Sequence, residues 1–373
     1  MKNIAVIFGG ASVEHDISVI TAMQVFKNLK NFNVLPVYIK SNGEFVTADN
    51  LTSPQTFLNF SKYAKNVREI SFEFGKQNLV IFKKNKIVKR EKIDCALLCN
   101  HGHGGEDGCL QGLLEMANIP YSSSNVLSSA LCMDKVLTKI ILKNAKISTP
   151  AYLHFDICEY KAKKLEILKN IRDKIKLPCI IKPANLGSSV GISICEDVAT
   201  LEKMIDEALL YDNKIIVEEY IKNAREFCCA VLKIGDKLFT SEVQEVKKGK
   251  IYSFSDKYLT EKDAEKGEIS TQLDKMIKKL AVQAYSALMC DGVVRVDFLF
   301  SEKQEKLYVN ELNSIPGSLA FNLFKEPFTD LIESLINEGI NKNEKRAKLV
   351  YSFNSKAIES YINMTDHLKY KMC

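Results

Sequence analysis

The 373-residue sequence lacks the features of a membrane or secreted protein. No apolar run approaches the ~20 residues that a membrane span needs. The first run, residues 4–8, stops at two glycines; it is too short for a secretion signal and predicts a strand. The eleven cysteines form no C-x-x-C pair and are dispersed, apart from the adjacent Cys228 and Cys229. An odd number of scattered thiols in a long chain indicates reduced cysteines. We therefore expect a cytoplasmic protein with no membrane partner.

Two common nucleotide-binding signatures are also absent. Gly9 and Gly10 follow a predicted strand without a G-x-G-x-x-G pattern or a downstream acidic residue, which argues against a dehydrogenase. Residues 187–191 (GSSVG) lie between two predicted strands and lack the Gly-Lys-Ser/Thr ending of a Walker A loop. The 52 basic residues only slightly exceed the 46 acidic ones and form no stripe interleaved with aromatics. We expect no nucleic-acid partner.

The pattern of the chain indicates an α/β protein of two or three domains. A strand–helix–strand pattern over residues 4–39 predicts a parallel unit whose ligand edge lies at the carboxyl ends of its strands. We place an N-terminal α/β domain at 1–123, a central segment at 124–217 and a third segment at 218–373, with a tail after about 345. We expect irregular connections and one hairpin at 41–92, one helix at 128–144, and a peripheral helix or a disordered end in the tail.

Two β-rich segments carry polar residues at alternating positions. Residues 293–300 (VVRVDFLF) contain Arg295 and Asp297, and residues 307–313 (LYVNELN) contain Glu311 and Asn313. Side chains alternate along a strand, so each pair shares one face. If the strands pair, Asp297, Glu311 and Asn313 converge as hard oxygen ligands, a set that suits Mg²⁺ bound to nucleotide phosphates. The alternative is a solvent-facing polar strand with a salt bridge between Arg295 and a carboxylate.

Two lysines and a flexible loop precede these strands. Lys135 follows residues 128–134, Lys182 ends the apolar segment 179–182, and the 187–191 loop comes next. The loop offers backbone N–H groups and two hydroxyls that can fold over phosphate oxygens. Taken singly, the loop is compatible with a hairpin turn and each lysine with a surface position. The order of these features along the chain favours a nucleotide site.

This order resembles the ATP-grasp superfamily, and six motifs resemble those of D-alanine–D-alanine ligases. They are residues 8–15 (FGGASVEH), 101–108 with 110–112 (HGHGGEDG, LQG), 129–135 (SALCMDK), 181–191 (IKPANLGSSVG), 256–258 (DKY) and 310–317 (NELNSIPG). The resemblance is collinear from about residue 4 to about residue 325. It implies an α+β ATP-grasp fold: an N-terminal parallel α/β domain followed by a two-subdomain ATP-grasp. The implied activity joins two D-alanine molecules for peptidoglycan synthesis, with ATP as co-substrate.

The resemblance also implies a nucleotide site and a metal site. The implied ATP-binding residues are Lys135, Lys182, Gly187, Ser188, Ser189, Glu218, Glu219, Ile221 and Glu226. The lysines and the loop would bind the phosphates, Glu218 the adenine amino group and Glu226 the ribose hydroxyls. Two Mg²⁺ ions, with Mn²⁺ as an alternative, would be held by Asp297, Glu311 and Asn313, and would neutralise charge as the γ-phosphoryl leaves.

The implied catalytic residues are Glu14, His101, Ser188, Lys257, Tyr258, Arg295, Gly317 and Asn322. Glu14 would pair with the ammonium of the first D-alanine, in a hydrogen-bonded set with Ser188 and Tyr258. Lys257 would contact the transferred phosphate. Arg295 and the backbone N–H of Gly317 would stabilise the tetrahedral oxyanion. His101 would lie near the first substrate; the alternative is a structural histidine in the turn.

One position departs from the family pattern. Where many members carry a serine that contacts the carboxylate of the second substrate, this chain has Asn322. An asparagine amide can still donate a hydrogen bond; the alternative is a packing role for this stretch.

Several rival functions remain open. Lys257 and Tyr258 favour the dipeptide enzyme over a D-alanine–D-lactate or D-alanine–D-serine ligase, since depsipeptide-forming relatives typically replace the pair. The Glu14 and His101 motifs are not generic to ATP-grasp ligases acting on other carboxylates. A non-catalytic ATP-binding module would lack a metal ligand or a phosphate lysine, and none is missing. The resemblance further implies a homodimer.

Overall fold

The computed structural model describes residues 1–246 and 269–369. The strands are β1 (Asn3–Gly9), β2 (Asn33–Ile39), β3 (Phe45–Thr47), β4 (Arg68–Glu73), β5 (Asn78–Lys83), β6 (Lys86–Lys92), β7 (Cys95–Leu98), β8 (Tyr152–Asp156), β9 (Cys179–Pro183), β10 (Ser193–Cys195), β11 (Lys214–Glu219), β12 (Arg225–Ile234), β13 (Lys237–Thr240), β14 (Gln244–Val246), β15 (Val293–Ser301) and β16 (Lys306–Asn313).

The helices of the described residues connect and cover these strands. They are α1 (His15–Asn28), α2 (Gln55–Leu58), α3 (Phe60–Tyr63), α4 (Cys109–Met116), α5 (Val126–Met133), α6 (Lys135–Asn144), α7 (Ile157–Asn170), α8 (Val198–Ala208), α9 (Thr271–Ala287), α10 (Phe328–Ala347) and α11 (Ala357–Lys369). A π-helical turn, Ile171–Ile175, extends α7, and a 3₁₀ segment, Gly317–Leu323, follows β16. None of the helices in the described ranges combines the length and the apolar character that crossing a membrane requires.

The first sheet has the order β6-β5-β4-β3-β2-β1-β7. Strand β1 is parallel to β2 and β7, which confirms the predicted parallel unit. The remaining strands are antiparallel, so the expectation of mostly irregular connections at 41–92 was wrong, although the hairpin β5–β6 is confirmed. The missed strands are β3, which has only three residues, and β4 (REISFE), in which charged residues on both faces hide the apolar alternation.

Two further antiparallel sheets follow. The second has the order β10-β9-β11-β8, and the third the order β13-β12-β15-β16, with β14 paired to β12. The expected boundary between residues 217 and 218 falls within β11. The single helix expected at 128–144 is two helices, because Asp134 ends α5 and caps α6, accepting hydrogen bonds from Val136 N and Leu137 N.

The apolar core of the N-terminal sheet includes residues from the end of the chain. The buried side chains of β1 and β7 pack in one cluster with those of α10, including Leu331, Ile332, Leu335 and Ile336. One face of β12 joins this cluster through Cys228, Ala230 and Leu232, and the other face of the third sheet packs against α9. The second sheet has a core of its own against α7 and α8. The first and third sheets therefore share an apolar core, which also includes the helix α10.

Candidate active site

One face of the third sheet carries the polar residues predicted from the strand pattern. Strands β15 and β16 pair antiparallel, with Asp297 opposite Glu311 and Arg295 opposite Asn313. Arg295 Nε and Nη2 donate to the two carboxylate oxygens of Asp297 at 2.7 and 2.8 Å. Asn313 Nδ2 donates to Asp297 Oδ2 at 3.1 Å. The strand pairing on which the predicted convergence depends is present, and so is the salt bridge between Arg295 and a carboxylate that belonged to the alternative.

The chemistry of this cluster suits a hard cation. It offers two carboxylates and one amide oxygen, the donor types that Mg²⁺ prefers when it also binds phosphates. The Arg295 and Asp297 side chains are 21% and 20% exposed, so a ligand can approach. Across residues 1–246 and 269–369, no three His, Cys, Asp or Glu side chains are grouped as a metal site. An ion at this cluster would therefore need the Asn313 amide and further ligands from a bound phosphate.

Lys135 lies between the glycine-rich loop and the acidic cluster. Its backbone N–H, at the first turn of α6, donates to Ala184 O at 3.0 Å. Its Nζ donates to Leu186 O at 2.6 Å and lies 3.9 Å from Glu311 Oε2. The side chain is only 9% exposed, which disfavours the surface alternative. The structure thus places one buried ammonium beside both the loop and a proposed metal ligand.

Glu218 is held between two buried lysines. Lys182 Nζ donates to Glu218 Oε2 at 2.9 Å and to Asn310 Oδ1 at 3.3 Å. Lys139 Nζ lies 3.1 Å from Glu218 Oε1. Burial raises the pKa of Glu218, but Lys139 and Lys182 outweigh this effect and bring the pKa to about 2. The carboxylate is therefore ionised and can accept a hydrogen bond from an amino group.

Lys139 is a site residue that the sequence analysis missed. Its side chain is 0% exposed, and burial lowers its pKa while Glu218 opposes that shift. Lys139 follows Lys135 by four residues on α6, a spacing that puts both on one face of the helix. That spacing was the available signal, and it would have placed Lys139 beside the predicted phosphate lysine.

The 187–191 loop connects β9 and β10 as predicted and reaches Glu14 at the start of α1. Ser188 Oγ donates a short hydrogen bond to Glu14 Oε1. A Cβ atom on Gly187 would lie 2.4 Å from Glu14 Oε2, so only glycine permits this approach. Ser188 and Ser189 both have positive φ, of 53° and 59°. The structure therefore brings Glu14 and Ser188 into contact, as the resemblance implied.

His101 follows β7, and each of its ring nitrogens has a hydrogen-bonding partner within the protein. Its Nδ1 is 2.8 Å from Ile315 O and its Nε2 is 2.9 Å from Thr21 Oγ1. The residue is 3% exposed, and burial lowers its pKa to about 4. These contacts favour the structural alternative for His101 over a direct substrate contact.

Glu106 is a second buried residue without a role in the sequence analysis. Its Oε2 accepts from Gly102 N at 2.8 Å and its Oε1 from Ile315 N at 2.9 Å. Burial, together with the nearby Glu14, raises its pKa to about 8. Its position in the HGHGGEDG motif was a signal, but the partner Ile315 is 209 residues away in the sequence.

The remaining nucleotide residues line the end of β11 and the start of β12. The Glu219 Oε1 atom accepts from Ala151 N at 2.8 Å, and Ile221 is 8% exposed. Burial alone would lower the pKa of the Lys182 ammonium, but Glu218, Glu311 and, as a smaller contribution, the half-buried Glu226 on β12 raise it. The structure therefore brings Glu218 and Glu226 towards Lys182, whereas Glu219 contacts the backbone of Ala151.

The last predicted residues fall partly beyond the structure. Gly317 starts the 3₁₀ segment after Pro316, and Asn322 is exposed within the same segment. Lys257 and Tyr258 lie outside the described residues.

Comparisons with known proteins match this arrangement. Residues 3–124 match the family described as D-ala D-ala ligase N-terminus, and residues 141–337 the family described as D-ala D-ala ligase C-terminus. A D-alanine–D-alanine ligase of Thermosipho melanesiensis is 39% identical over 356 residues, covering 92% of this chain and 94% of the relative. One from Caldicellulosiruptor bescii is 35% identical over 365 residues, covering 94% and 98%.

Solved structures give the same result. The D-alanine–D-alanine ligase of Coxiella burnetii superposes with a TM-score of 0.78 at 27% identity, covering 96% of this chain and 99% of that one. A D-Ala:D-Ser ligase of Enterococcus faecalis superposes with a TM-score of 0.77 at 32% identity, covering 91% and 99%. The fold is therefore that of an ATP-grasp enzyme, as predicted. Within that class, the chain belongs to the D-alanine–D-alanine ligase family.

Proposed function

We propose that this enzyme joins two D-alanine molecules to D-alanyl-D-alanine, with ATP as co-substrate, for peptidoglycan precursor synthesis. The contact between Ser188 and Glu14 supports this most directly, because it sets a buried carboxylate against the predicted phosphate loop. Lys135 links the other side of that loop to Glu311. A site for an amino-acid ammonium thus adjoins a site for phosphates.

The reaction needs an activated carboxyl group. A carboxylate oxygen of the first D-alanine would attack the γ-phosphorus of ATP, ADP would leave, and a D-alanyl phosphate would form. The amine of the second D-alanine would then attack the acyl carbon and lose a proton, and phosphate would leave as the C–N bond is completed. In this scheme Glu14 holds the first ammonium, while Lys135 and Lys182 hold the phosphates.

The oxyanion of the tetrahedral intermediate needs preorganised donors. Arg295, which pairs with Asn313 at the end of β16, and the backbone N–H of Gly317, in the 3₁₀ segment that follows, would supply them. Lys257 would contact the transferred phosphate and Tyr258 would join Glu14 and Ser188. Asp297, Glu311 and Asn313 would hold Mg²⁺, or Mn²⁺ in its place. A bound ion would supply positive charge that offsets the charge of the phosphates.

A second candidate is the D-alanine–D-serine ligase. The similarity to a D-Ala:D-Ser ligase at 32% identity favours it. So does Asn322, because an exposed amide in the turn after Gly317 can donate to a hydroxyl or a carboxylate of the second substrate. The two candidates differ in the acceptor amino acid and share every earlier step.

The experiment is phosphate release from Mg·ATP with D-alanine, L-alanine, D-alanine plus D-serine, or D-alanine plus D-lactate, with products identified by mass. We expect phosphate matched by D-alanyl-D-alanine, and none with L-alanine. Preferential formation of D-alanyl-D-serine or of the depsipeptide would move the assignment to the sibling ligase. No turnover with any acceptor would contradict a ligase function and favour a non-catalytic ATP-binding module.

A matched pair of variants ties the activity to the acidic cluster. We expect Glu311→Gln to lower kcat by about 10²-fold or more, since one carboxylate of the proposed metal set becomes neutral. Glu305→Gln makes the same change in the exposed turn between β15 and β16 and should keep wild-type kcat. Equal activity of the two variants would contradict the role of Glu311.

The family resemblance also carries proposals about the organisation of the molecule. We propose three units, the first at 1–123, with the boundary between the second and the third moved from 217/218 to the end of β11, a homodimer, and a cytoplasmic location. Sedimentation at several protein concentrations tests the dimer, and a single species of about 42 kDa, the mass of one chain, would contradict it.

A further inference from the structure

The turn that follows β16 has an unusual backbone. Ser318, Leu319 and Ala320 have φ of 53°, 52° and 53°, three consecutive left-handed residues, and none of them is glycine or asparagine. In this region the Cβ atom crowds the following carbonyl oxygen. Residues held this way persist only where their surroundings fix them, and they cluster at functional sites. The turn begins at Gly317, whose N–H is a proposed oxyanion donor.

Hydrogen bonds from the N-terminal domain hold this turn at its start. Ser318 N donates to Thr21 Oγ1 at 3.0 Å, across 297 positions of sequence. Ile315 N donates to Glu106 Oε1 at 2.9 Å, and Ile315 O contacts His101 Nδ1 at 2.8 Å. Gly317 lies between the two anchored residues. Thr21, which is fully buried on α1, therefore holds the residue that directly follows Gly317.

The Thr21 hydroxyl acts both as acceptor and as donor. Ile315 O can only accept, so His101 Nδ1 carries a proton. Burial lowers the pKa of His101 to about 4, which leaves the ring neutral at pH 7 and its Nε2 an acceptor. Thr21 Oγ1, 2.9 Å from Nε2, then donates to the ring while accepting from Ser318 N. The hydrogen bonds therefore run without a break from Ile315 O through His101 and Thr21 to Ser318 N. They link the two residues that flank Pro316 and Gly317 in the sequence.

A simple packing role is the competing explanation. Leu319 and Ala320 are each 2% exposed and belong to the apolar core beside α1. If this packing alone fixes the turn, the shape of the Thr21 side chain matters and its hydroxyl does not. Serine and valine separate the two explanations, because serine keeps the hydroxyl and loses the methyl group, while valine keeps the shape and loses the hydroxyl.

We propose that Thr21 is a positioning residue of the ligase reaction: its hydroxyl, joined to His101, holds the strained Ser318 turn so that the Gly317 N–H faces the developing oxyanion. This rests on the proposed function for its catalytic consequence. The positioning of the turn does not depend on which amino acids are joined. A displaced donor loses much of its effect on the transition state, whereas nucleotide binding at Lys135 and Lys182 is left intact.

The kinetic test compares Thr21→Val with Thr21→Ser. We expect Thr21→Val to lower kcat by about tenfold or more, part of the ~10²–10³ that a lost oxyanion donor costs. The KM for ATP should stay within about twofold of wild type, because ATP is bound elsewhere. Thr21→Ser should keep kcat within about threefold. Equal losses of kcat in both variants, or no loss in Thr21→Val, would overturn the proposal in favour of packing.

A second measurement keeps the proposal testable if wild-type turnover is absent. Hydrogen exchange of a peptide spanning residues 314–323 should speed up about tenfold or more in Thr21→Val and remain near wild type in Thr21→Ser. A peptide from α9 should exchange alike in all three proteins, which excludes global unfolding. Unchanged exchange in Thr21→Val overturns the positioning role. Failure of wild type to make a dipeptide, with faster exchange in Thr21→Val, would reject the proposed function alone.

Discussion

His101 is a base that the fold keeps uncharged. Burial lowers its pKa to about 4, the Ile315 carbonyl opposes this shift and Arg295 adds to it. The pKa of a histidine in an unfolded chain is about 6.5. Between these two values the unfolded chain binds a proton that the folded chain does not. The free energy of unfolding contributed by this group therefore falls as the pH falls from about 6.5 to about 4.

We predict that His101→Gln reduces the acid sensitivity of the fold. Relative to the variant, the wild type should lose up to about 1.4 kcal/mol of unfolding free energy per pH unit across that window. Urea unfolding at pH 7, 6 and 5 measures the difference. Glu106, whose pKa is raised to about 8, and Arg295 are present in both proteins, so their contributions cancel in the difference between the two unfolding free energies. His103→Gln, with a side chain 72% exposed, should follow the wild type. Parallel slopes for wild type and His101→Gln would contradict the assignment.

Sequence patterns located the residues whose partners are close along the chain. Alternation along β15 and β16 placed Asp297 with Glu311, because strands joined by a short turn pair predictably. Thr21 was missed because its partner Ser318 is 297 positions away and a threonine on a helix has no distinctive signature. Lys139, on α6, was missed because burial of a lysine is rare and here depends on its partner Glu218, which lies far along the chain on β11.

At the scale of elements, the 187–191 loop is defined by its approach to Glu14. The φ of Gly187 is not in the left-handed region, so alanine is tolerated by the backbone there. The obstacle is spatial, since an added Cβ would lie 2.4 Å from Glu14 Oε2. Glu14 is 5% exposed and bonded to Ser188, so it has little freedom to withdraw.

We predict that Gly187→Ala raises the KM for D-alanine by about tenfold, because the added methyl group displaces the Glu14 carboxylate that binds the first ammonium. A tenfold change corresponds to a loss of roughly 1.4 kcal/mol of binding free energy. The KM for ATP should change less, since Lys135 and Lys182 are not displaced. Initial rates with each substrate varied in turn measure both values. Gly112→Ala is the control, because its added Cβ would be 4.0 Å from Val126. A rise in the KM for ATP alone would mean that the loop contacts only the nucleotide.

Elements with exposed faces were the hardest to predict. The buried strands β1 and β7 gave continuous apolar runs and were found, whereas β3 is only three residues long and β4 carries charged residues on both faces. The break between α5 and α6 was missed because an uninterrupted helical pattern hid the capping role of Asp134. The missed strands are fixed by pairing with their neighbours, and the helix break is fixed by the Asp134 cap. Local periodicity decides neither.

At the scale of the whole molecule, a helix from the last part of the chain packs against strands from the first part. Helix α10, near the end of the described chain, packs its apolar face into the same core as β1 and β7. Lys342, on the same helix, donates to Ser123 O at 2.8 Å and lies 4.1 Å from the centre of the Tyr121 ring. The linear division into segments could not show this, because the contact joins the first proposed unit to the third.

We predict that Gly339→Ala destabilises the whole molecule. An added Cβ at Gly339 would lie 2.5 Å from Tyr121 O and 3.0 Å from Cys95 Sγ, so α10 would have to move away from the first sheet. Overpacking of this kind costs about 1–3 kcal/mol, which outweighs the ~0.5–1 kcal/mol that alanine gains over glycine within a helix. Thermal unfolding should show a lower Tm for Gly339→Ala and an unchanged or higher Tm for Gly112→Ala, a helical glycine with room for a Cβ. A Tm for Gly339→Ala equal to that of Gly112→Ala would mean that the helix is not held against the sheet by this contact.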